Sequence, residues 1–389
     1  MIFITSYPYV GARHLKVFQS FTNKNDLVFI LPESWPMKDG KVMLHPDVRS
    51  GLNIVSTQAR FFHSHYFLLR GLMKGWMPAT QRILRDKGAK AGDILYTVNE
   101  PNLLVTLLNA RIARRLGMKH VFFTWQNVSY ETRLAGAKLA LTRWLIKKNI
   151  QASVGAVCGN EKAKEILTTY APKDFKLLVN PVSGIDLDSF RPEGTSTFRA
   201  EHNVEGKTIL LFVGAMDNRK GLNTLIEAFA QASSKYENLH LVMIGEGPMK
   251  ENLKLKIRNL KLEGVVTILP WFDNEKLPAV MSSADMFIYP SEPYGGWEEQ
   301  FGYSAAEASA CGLPVITTKV GSLPDIIKDS VTGIVVPPAN SGNLAEAIMK
   351  LANDRDLRRV MGFAGREHIA ANYGHAKVAE KLENFLRSL

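Results

Sequence analysis

Cysteine is nearly absent, with Cys158 and Cys311 the only two in 389 residues. Two thiols cannot staple a chain of this size and offer no metal-ligand spacing, which fits a reducing compartment. Long apolar runs are also missing. No stretch reaches the ~18 residues of a spanning helix, so none is expected. The opening residues, MIFITSYPYVGARH, lack the basic start and sustained apolar run of a signal peptide. The expectation is a cytoplasmic protein that, if it meets a membrane, lies on its inner face. There is no internal repeat and no low-complexity tract, and composition excludes disorder, collagen and coiled coil.

Acidic residues are scarce in one region. Residues 51–150 hold 16 basic and 4 acidic residues. Residues 1–200 carry 28 Lys and Arg against 14 Asp and Glu, whereas 201–389 carry 20 against 23. The basic surface therefore belongs to the first half, which suggests an anionic partner there. A solvated basic face with no partner is the plain alternative.

Hydrophobic residues make up 46% and charged residues 22%, as in soluble globular proteins. The length fits two domains. Short apolar runs alternate with helical stretches: MIFIT (1–5), LVFIL (27–31), DILYT (93–97), HVFFT (120–124), VGAVCG (154–159) and KLLVN (176–180), then TILLFVG (208–214), LHLVMIG (239–245), VVTIL (265–269), MFIYP (286–290), PVITT (314–318) and GIVVP (333–337). Continuous β-rich runs suit buried parallel strands. Helices are expected over 102–116, 160–169 and 375–389. The pattern predicts two doubly wound α/β domains, 1–190 and 191–370, with a final helix over 371–389 packing back on the first. A Pro-, Gly- and Asp-rich stretch, 180–198, reads as the linker. Such a pair places a ligand cleft between the domains, at the carboxyl ends of the strands.

Segment 290–325 carries the strongest chemical signal. After a strand ending at Pro290 come a Gly-rich acidic loop, a helix from about Gly302 to Ala310, and another strand. Glu299 precedes that helix and Glu307 lies within it. With Glu299 in the loop, both carboxylates reach one groove, where each accepts two hydrogen bonds from sugar or ribose hydroxyls. Phe301-Gly302 allows close backbone approach, and the helix start binds anions. Acidic capping of a helix is the competing reading. In a second segment, 210–230, Arg219 and Lys220 stand at the end of a loop before a helix, as suits a diphosphate. Solvated loop-tip cations are the alternative. A third strand–glycine–helix turn, Gly245-x-Gly247-Pro248, is a tight turn of weak specificity.

Together these segments resemble glycosyltransferase family 4, retaining enzymes of the GT-B fold. The pattern is an aspartate-led strand ending Pro-Ser, then Glu-x-Phe-Gly, then Glu-Ala-x-Ala-x-Gly-x-Pro-Val-Ile. Here it runs from Asp285 to Ser291, then Glu299 to Gly302, then Glu307 to Ile316. Glu292 and Glu298 compete, but Glu299 alone has a glutamate eight positions on. FVG…RKG…EAF, IGEGP and VGSLPD are further family phrases. The likeness is strong over roughly 205–345 and weak in the first domain.

The resemblance implies two Rossmann-like domains facing across a cleft. It implies a nucleoside-diphosphate sugar as substrate, UDP- or GDP-linked, and no cofactor or metal. Glu299 would hold the donor sugar, and Lys220 with Arg219 would neutralise the leaving diphosphate. Glu307 would hold the ribose. Gly11, Gly214, Phe301, Gly302 and Tyr303 would lie along the donor. Trp271 would lie against the base, or else serve as a core or lid aromatic. The first domain departs from the pattern. A glycine pair is reduced to Gly11, an arginine after the FVG strand is Ala215, and a histidine after the fourth strand is Gln126, followed by Asn127. His14 and His120 are nearby alternatives, with structural roles as the competing reading.

On the acceptor side, residues 61–87 and 131–150 mix Trp, Phe and Leu with Lys and Arg, as interfacial helices do. Packing of their apolar sides on the sheet is the alternative. The expected acceptor is a glycan or a lipid-linked saccharide, with an anionic membrane surface as a further partner. Nucleic acid is not expected. Two other classes stay open: a catalytically weak subunit that binds a sugar nucleotide or a partner, and a nucleotide-sugar epimerase or phosphorylase on the same architecture.

Overall fold

The strands form where β-branched and aromatic residues run without a polar break, and the computed structural model buries the central ones, such as Leu27–Pro32 and Thr208–Val213, on both faces. It describes residues 1–7, 9, 12–36, 43–46, 50–61, 71–193, 197–273 and 275–389, without the side chains of 12 and 13. Gly11 and residues 62–70 lie outside that set. The chain divides into two compact units, Met1–Gly184 with His375–Leu389, and Ile185–Gly374. The division falls a few residues before the expected boundary, inside the stretch read as a linker.

The first unit holds β1 (Ile2–Thr5), β2 (Leu27–Pro32), β3 (Trp35–Pro36), β4 (Met43–Leu44), β5 (Ile54–Thr57), β6 (Ile94–Thr97), β7 (Lys119–Thr124), β8 (Gly155–Cys158) and β9 (Lys176–Val179). Seven of them form a parallel sheet in the order β5-β2-β1-β6-β7-β8-β9, and β3 pairs with β4 in a separate antiparallel ladder. The helix His375–Ser388 packs Val378, Ala379, Leu382 and Leu386 into the core beneath β1 and β2. Polar groups fasten it as well. Asn180 Nδ2 donates to the Val378 carbonyl at 3.0 Å, and Glu383 accepts from the Thr22 amide at 2.8 Å.

The second unit holds β10 (Thr208–Val213), β11 (Leu239–Ile244), β12 (Val266–Leu269), β13 (Met286–Tyr289), β14 (Val315–Thr318) and β15 (Gly333–Val336). All pair in parallel, in the order β12-β11-β10-β13-β14-β15. Every residue of β10 and β11 is buried. Each large apolar side chain so buried contributes roughly 1.5–3 kcal/mol. Both sheets therefore wind outward from a central strand and then reverse. The reversal lies between β1 and β6 in the first unit and between β10 and β13 in the second. Open α/β sheets take ligands outside the carboxyl ends of the strands at that point.

Both cysteines are buried, and burial pushes each thiol up to about 12. They are core residues. Among the described residues no helix is long and apolar enough to cross a membrane.

Candidate active site

The second unit's reversal point brings together two loops, one after β10 and one after β13. The first closes in a tight turn, Asn218–Lys220, capped by the Asp217 carboxylate, which accepts from the Arg219 amide. Gly221 follows with φ +60, and a Cβ there would stand 2.0 Å from the Pro290 carbonyl oxygen. Only glycine lets the two loops approach this closely. The Glu292 amide donates to the Arg219 carbonyl at 2.9 Å, locking one loop to the other.

Lys220 and Glu299 meet at the centre. Lys220 Nζ lies 2.5 Å from Glu299 Oε2, with each side chain 9% exposed. The ammonium also donates to the Tyr289 hydroxyl and sits over the Tyr289 ring, 4.5 Å from its centroid. Ser291 Oγ donates to the same carboxylate oxygen at 3.2 Å. Burial, together with the charge of Glu299, holds the Tyr289 hydroxyl far above its usual range. That hydroxyl is a neutral donor here.

Arg219 is held from two directions. Its Nε and Nη2 donate to the Asp217 carboxylate, and its guanidinium lies 4.4 Å from the centre of the Trp297 ring. Burial raises the Asp217 pKa, but the Arg219 hydrogen bonds outweigh it and leave the carboxyl below its ordinary value. Arg219 is raised in return by its bond to Asp217. The guanidinium plane is thus fixed beside Lys220, although Ala215 stands where an arginine was expected.

Trp297 belongs to a feature that motif matching passed over. Tyr294 and Trp297 pair across a two-residue turn in which Gly295 and Gly296 both have positive φ, +57 and +70. That is the geometry of a type I′ hairpin, for which Gly-Gly is a direct sequence signal. Gly321 and Ser322 were also missed as individual residues, although they lie in the VGSLPD phrase. The Ser322 amide donates to the Glu299 carbonyl at 3.1 Å, the Ser322 hydroxyl donates to the Gln300 carbonyl, and the Gly321 amide donates to Glu298 Oε2 at 3.1 Å. These bonds clamp the loop that carries Glu299.

The helix Tyr303–Ala310 begins just beyond this clamp. Gly302 caps it at φ +86. Phe301 is buried against Tyr303 and Tyr373. Glu307 lies inside the helix, 3% exposed. Gly214, at the end of β10, underlies the site: a Cβ on Gly245 would come 2.0 Å from the Gly214 carbonyl oxygen.

Other expected residues lie on other elements. Trp271, 49% exposed, follows the edge strand β12, two strands out from β10. In the first unit, Gln126 has its amide engaged at both ends. It donates to the Val128 carbonyl and accepts from Arg133 Nη2 at 2.9 Å. Asn127 is buried, and His14 is half-buried in the short helix Ala12–Leu15. His120 is a core residue bonded to Ser153 and Thr97, and burial lowers its pKa to about 3. The sequence also contains two Asp-x-Asp triplets. Asp186 accepts from the Asp188 and Ser189 amides, and Asp354 caps the helix Arg355–Tyr373. No group of three His, Cys, Asp or Glu residues with metal-binding placement occurs among the described residues.

Residues 195–368, which contain Lys220, Glu299 and Glu307, match the family described as glycosyl transferases group 1. That match spans most of the second unit. Two curated relatives are similar to the chain. A GDP-mannose-dependent alpha-(1-6)-phosphatidylinositol monomannoside mannosyltransferase of Mycobacterium tuberculosis is 32% identical over 208 residues, covering 52% of this chain and 54% of that protein. A D-inositol 3-phosphate glycosyltransferase of Pseudarthrobacter chlorophenolicus is 32% identical over 225 residues, covering 57% and 52%. The chain spans about half the length of the curated relatives it matches. Among solved structures, Anabaena Alr3699/HepE in complex with UDP superposes with a TM-score of 0.77 at 16% identity, over 100% of this chain and 99% of that one. This likeness shows the fold, GT-B.

Proposed function

We propose that the protein is a retaining glycosyltransferase. It moves a sugar from a UDP- or GDP-linked donor to a hydroxyl of a glycan or lipid-linked acceptor. The observation that carries this reading is the buried Lys220–Glu299 pair at the second unit's reversal point. Glu299 accepts hydrogen bonds from donor-sugar hydroxyls. Lys220 and Arg219 face the negative charge that grows on the diphosphate as its bond to the sugar breaks. Cations fixed before the reaction stabilise that charge without reorganising. The start of the helix Tyr303–Ala310 adds backbone N–H groups of the same sign. Glu307 takes the ribose.

The acceptor side rests on the first unit's charge. The helix Gly136–Gln151 has no Asp or Glu and exposes Leu141 and Trp144, 44% and 47%, beside Lys138, Arg143, Lys147 and Lys148. Its opposite face packs Ile146 and Ile150 into the core. The helix thus combines a core-packing face with a basic, partly apolar exposed face. An anionic membrane surface is the partner this face suits. The described part of 61–87 instead turns Met73, Met77, Ile83 and Leu84 inward.

The test is turnover of UDP- and GDP-sugars, read as release of the nucleoside diphosphate with product analysis by NMR. Transfer or slow donor hydrolysis that disappears in K220A supports the reading. Equal turnover in K220A, or an epimerised free nucleotide sugar as product, contradicts it.

A further inference from the structure

The first unit has a reversal point of its own, between β1 and β6, and a carboxylate stands at it. Thr5 and Thr97 are register partners on those strands. Tyr7 follows the first strand and Glu100 the second. Glu100 is half-buried. Its Oε2 accepts from Thr124 Oγ1 at 2.6 Å and its Oε1 from the Trp125 amide at 2.7 Å. An ionised carboxylate has about four acceptor positions, so these two bonds leave roughly half of them for a ligand.

The surroundings make the charge costly. Burial raises the Glu100 pKa, although the Thr124 and Trp125 hydrogen bonds and the charge of Arg133 pull the other way. Burial also pushes the Tyr7 hydroxyl up to about 12, with the charge of Glu100 adding to the rise. A desolvated carboxylate costs several kcal/mol unless fully paired. Tying down the Thr124–Trp125 turn needs only a neutral acceptor.

Tyr7, whose hydroxyl feels the Glu100 charge, follows the strand paired with the one that leads to Glu100. Tyr7 stacks on Trp35, with centroids 4.4 Å apart and planes within 18°. The Lys74 ammonium lies over the Tyr7 ring, 4.9 Å from its centroid. The second unit repeats the combination, with Glu299 beside Tyr289 and Trp297. Carboxylates pair with neighbouring hydroxyls, and the electronegative faces of aromatic rings take C–H groups.

We infer that Glu100, at the reversal point of the first unit, is the hydroxyl-binding carboxylate of a saccharide or polyol subsite, with Tyr7 as its aromatic flank. That the bound saccharide is the acceptor rests on the glycosyltransferase reading. Saccharide binding itself does not.

Saturation-transfer NMR on the full chain tests this, with methyl α-D-glucopyranoside and methyl α-D-mannopyranoside as probes. UDP and GDP binding is measured in parallel by calorimetry. Saturation should reach at least one glycoside and fall about five- to tenfold in E100Q, the loss of a charge-assisted hydrogen bond. Nucleotide affinity should not change. If E100Q unfolds, E100D keeps the charge, withdraws the oxygens by one methylene, and should weaken the same signal. Equal signals in the folded variant and the wild type, or no glycoside signal in the wild type, overturn the subsite. A glycoside signal that depends on Glu100 in a protein that binds neither nucleotide supports the subsite and sinks the donor reading instead.

Discussion

Lys220 and Glu299 are separated by 79 positions in the chain, and their charged groups lie 2.5 Å apart in the second unit's core. The pair is both a structural and a chemical element. Removing one partner strands a buried charge, which costs ~3–5 kcal/mol, whereas replacing both with apolar groups is close to neutral. K220A and E299A should therefore each lower the unfolding free energy by about that amount and abolish turnover. The double variant K220M/E299M should recover most of the stability and none of the turnover. Chemical denaturation with donor-turnover assays checks both halves, and a fully active K220A would remove the pair from the chemistry.

Gly321 controls where Glu299 sits. A Cβ at Gly321 would fall 1.8 Å from the Glu299 carbonyl oxygen, and its φ of +57 disfavours other residues. G321A should cost at least ~1–2 kcal/mol in stability and shift the Glu299 loop. Because the shift acts on the loop that presents the carboxylate, kcat should drop more than the affinity for UDP or GDP. An unchanged kcat would show that the clamp does not position Glu299.

His120 makes stability depend on pH. Its folded pKa, about 3, lies below the ordinary value of 6.5. The folded state keeps it neutral while the unfolded state protonates it. Its contribution is fully present above about pH 6.5 and is lost as the pH falls from there toward 3. The slope approaches ~1.4 kcal/mol per pH unit, so about 2 kcal/mol should vanish between pH 6.5 and 5. Urea melts at the two pH values measure this. H120Q, which cannot titrate, should lack that part of the slope.

The exposed face of Gly136–Gln151 predicts binding to anionic vesicles. Sedimentation with phosphatidylglycerol vesicles should carry the protein down at low salt, and phosphatidylcholine vesicles should not. Basic residues near such a surface contribute roughly 1 kcal/mol each and are screened by salt. L141E/W144E should reduce sedimentation without altering nucleotide binding. Binding that survives both the variant and high salt would place the contact elsewhere. A salt-insensitive dimer in wild type that dissociates in the variant would make the face a self-association surface.

Much of this fold was legible because buried parallel strands are written as uninterrupted apolar runs. All twelve runs read as strands form strands within a residue or two at each end. β5 was missed because it lies at the sheet edge. Ile54–Thr57 ends in Ser and Thr, and three of its four residues are incompletely buried, so it lacks the run that marks its neighbours. Lys220, Glu299 and Glu307 were legible through spacing and family phrases. Trp297, Gly321, Ser322 and Glu100 were not, because their importance lies in partners that the fold supplies from distant positions. The Tyr294–Trp297 hairpin had a readable Gly-Gly signal, hidden beside the stronger acidic motif. Trp271 carried only the signal of an aromatic after a strand, and strand order, which a sequence does not display, puts it at the end of the edge strand β12.

Nucleoside-diphosphate binding by the second unit, through the Lys220–Glu299 cluster and Glu307, is the proposal on which the other roles depend. Calorimetric titration of the full chain with UDP and with GDP, repeated on E307A, tests it most directly. Loss of a ribose-binding carboxylate removes charge-assisted hydrogen bonds worth ~1.5–3 kcal/mol. Saturable binding of one nucleotide is expected, weakened in E307A by about ten- to a hundredfold. Binding of equal affinity in a folded E307A, or no binding of either nucleotide by the folded wild type, would contradict it.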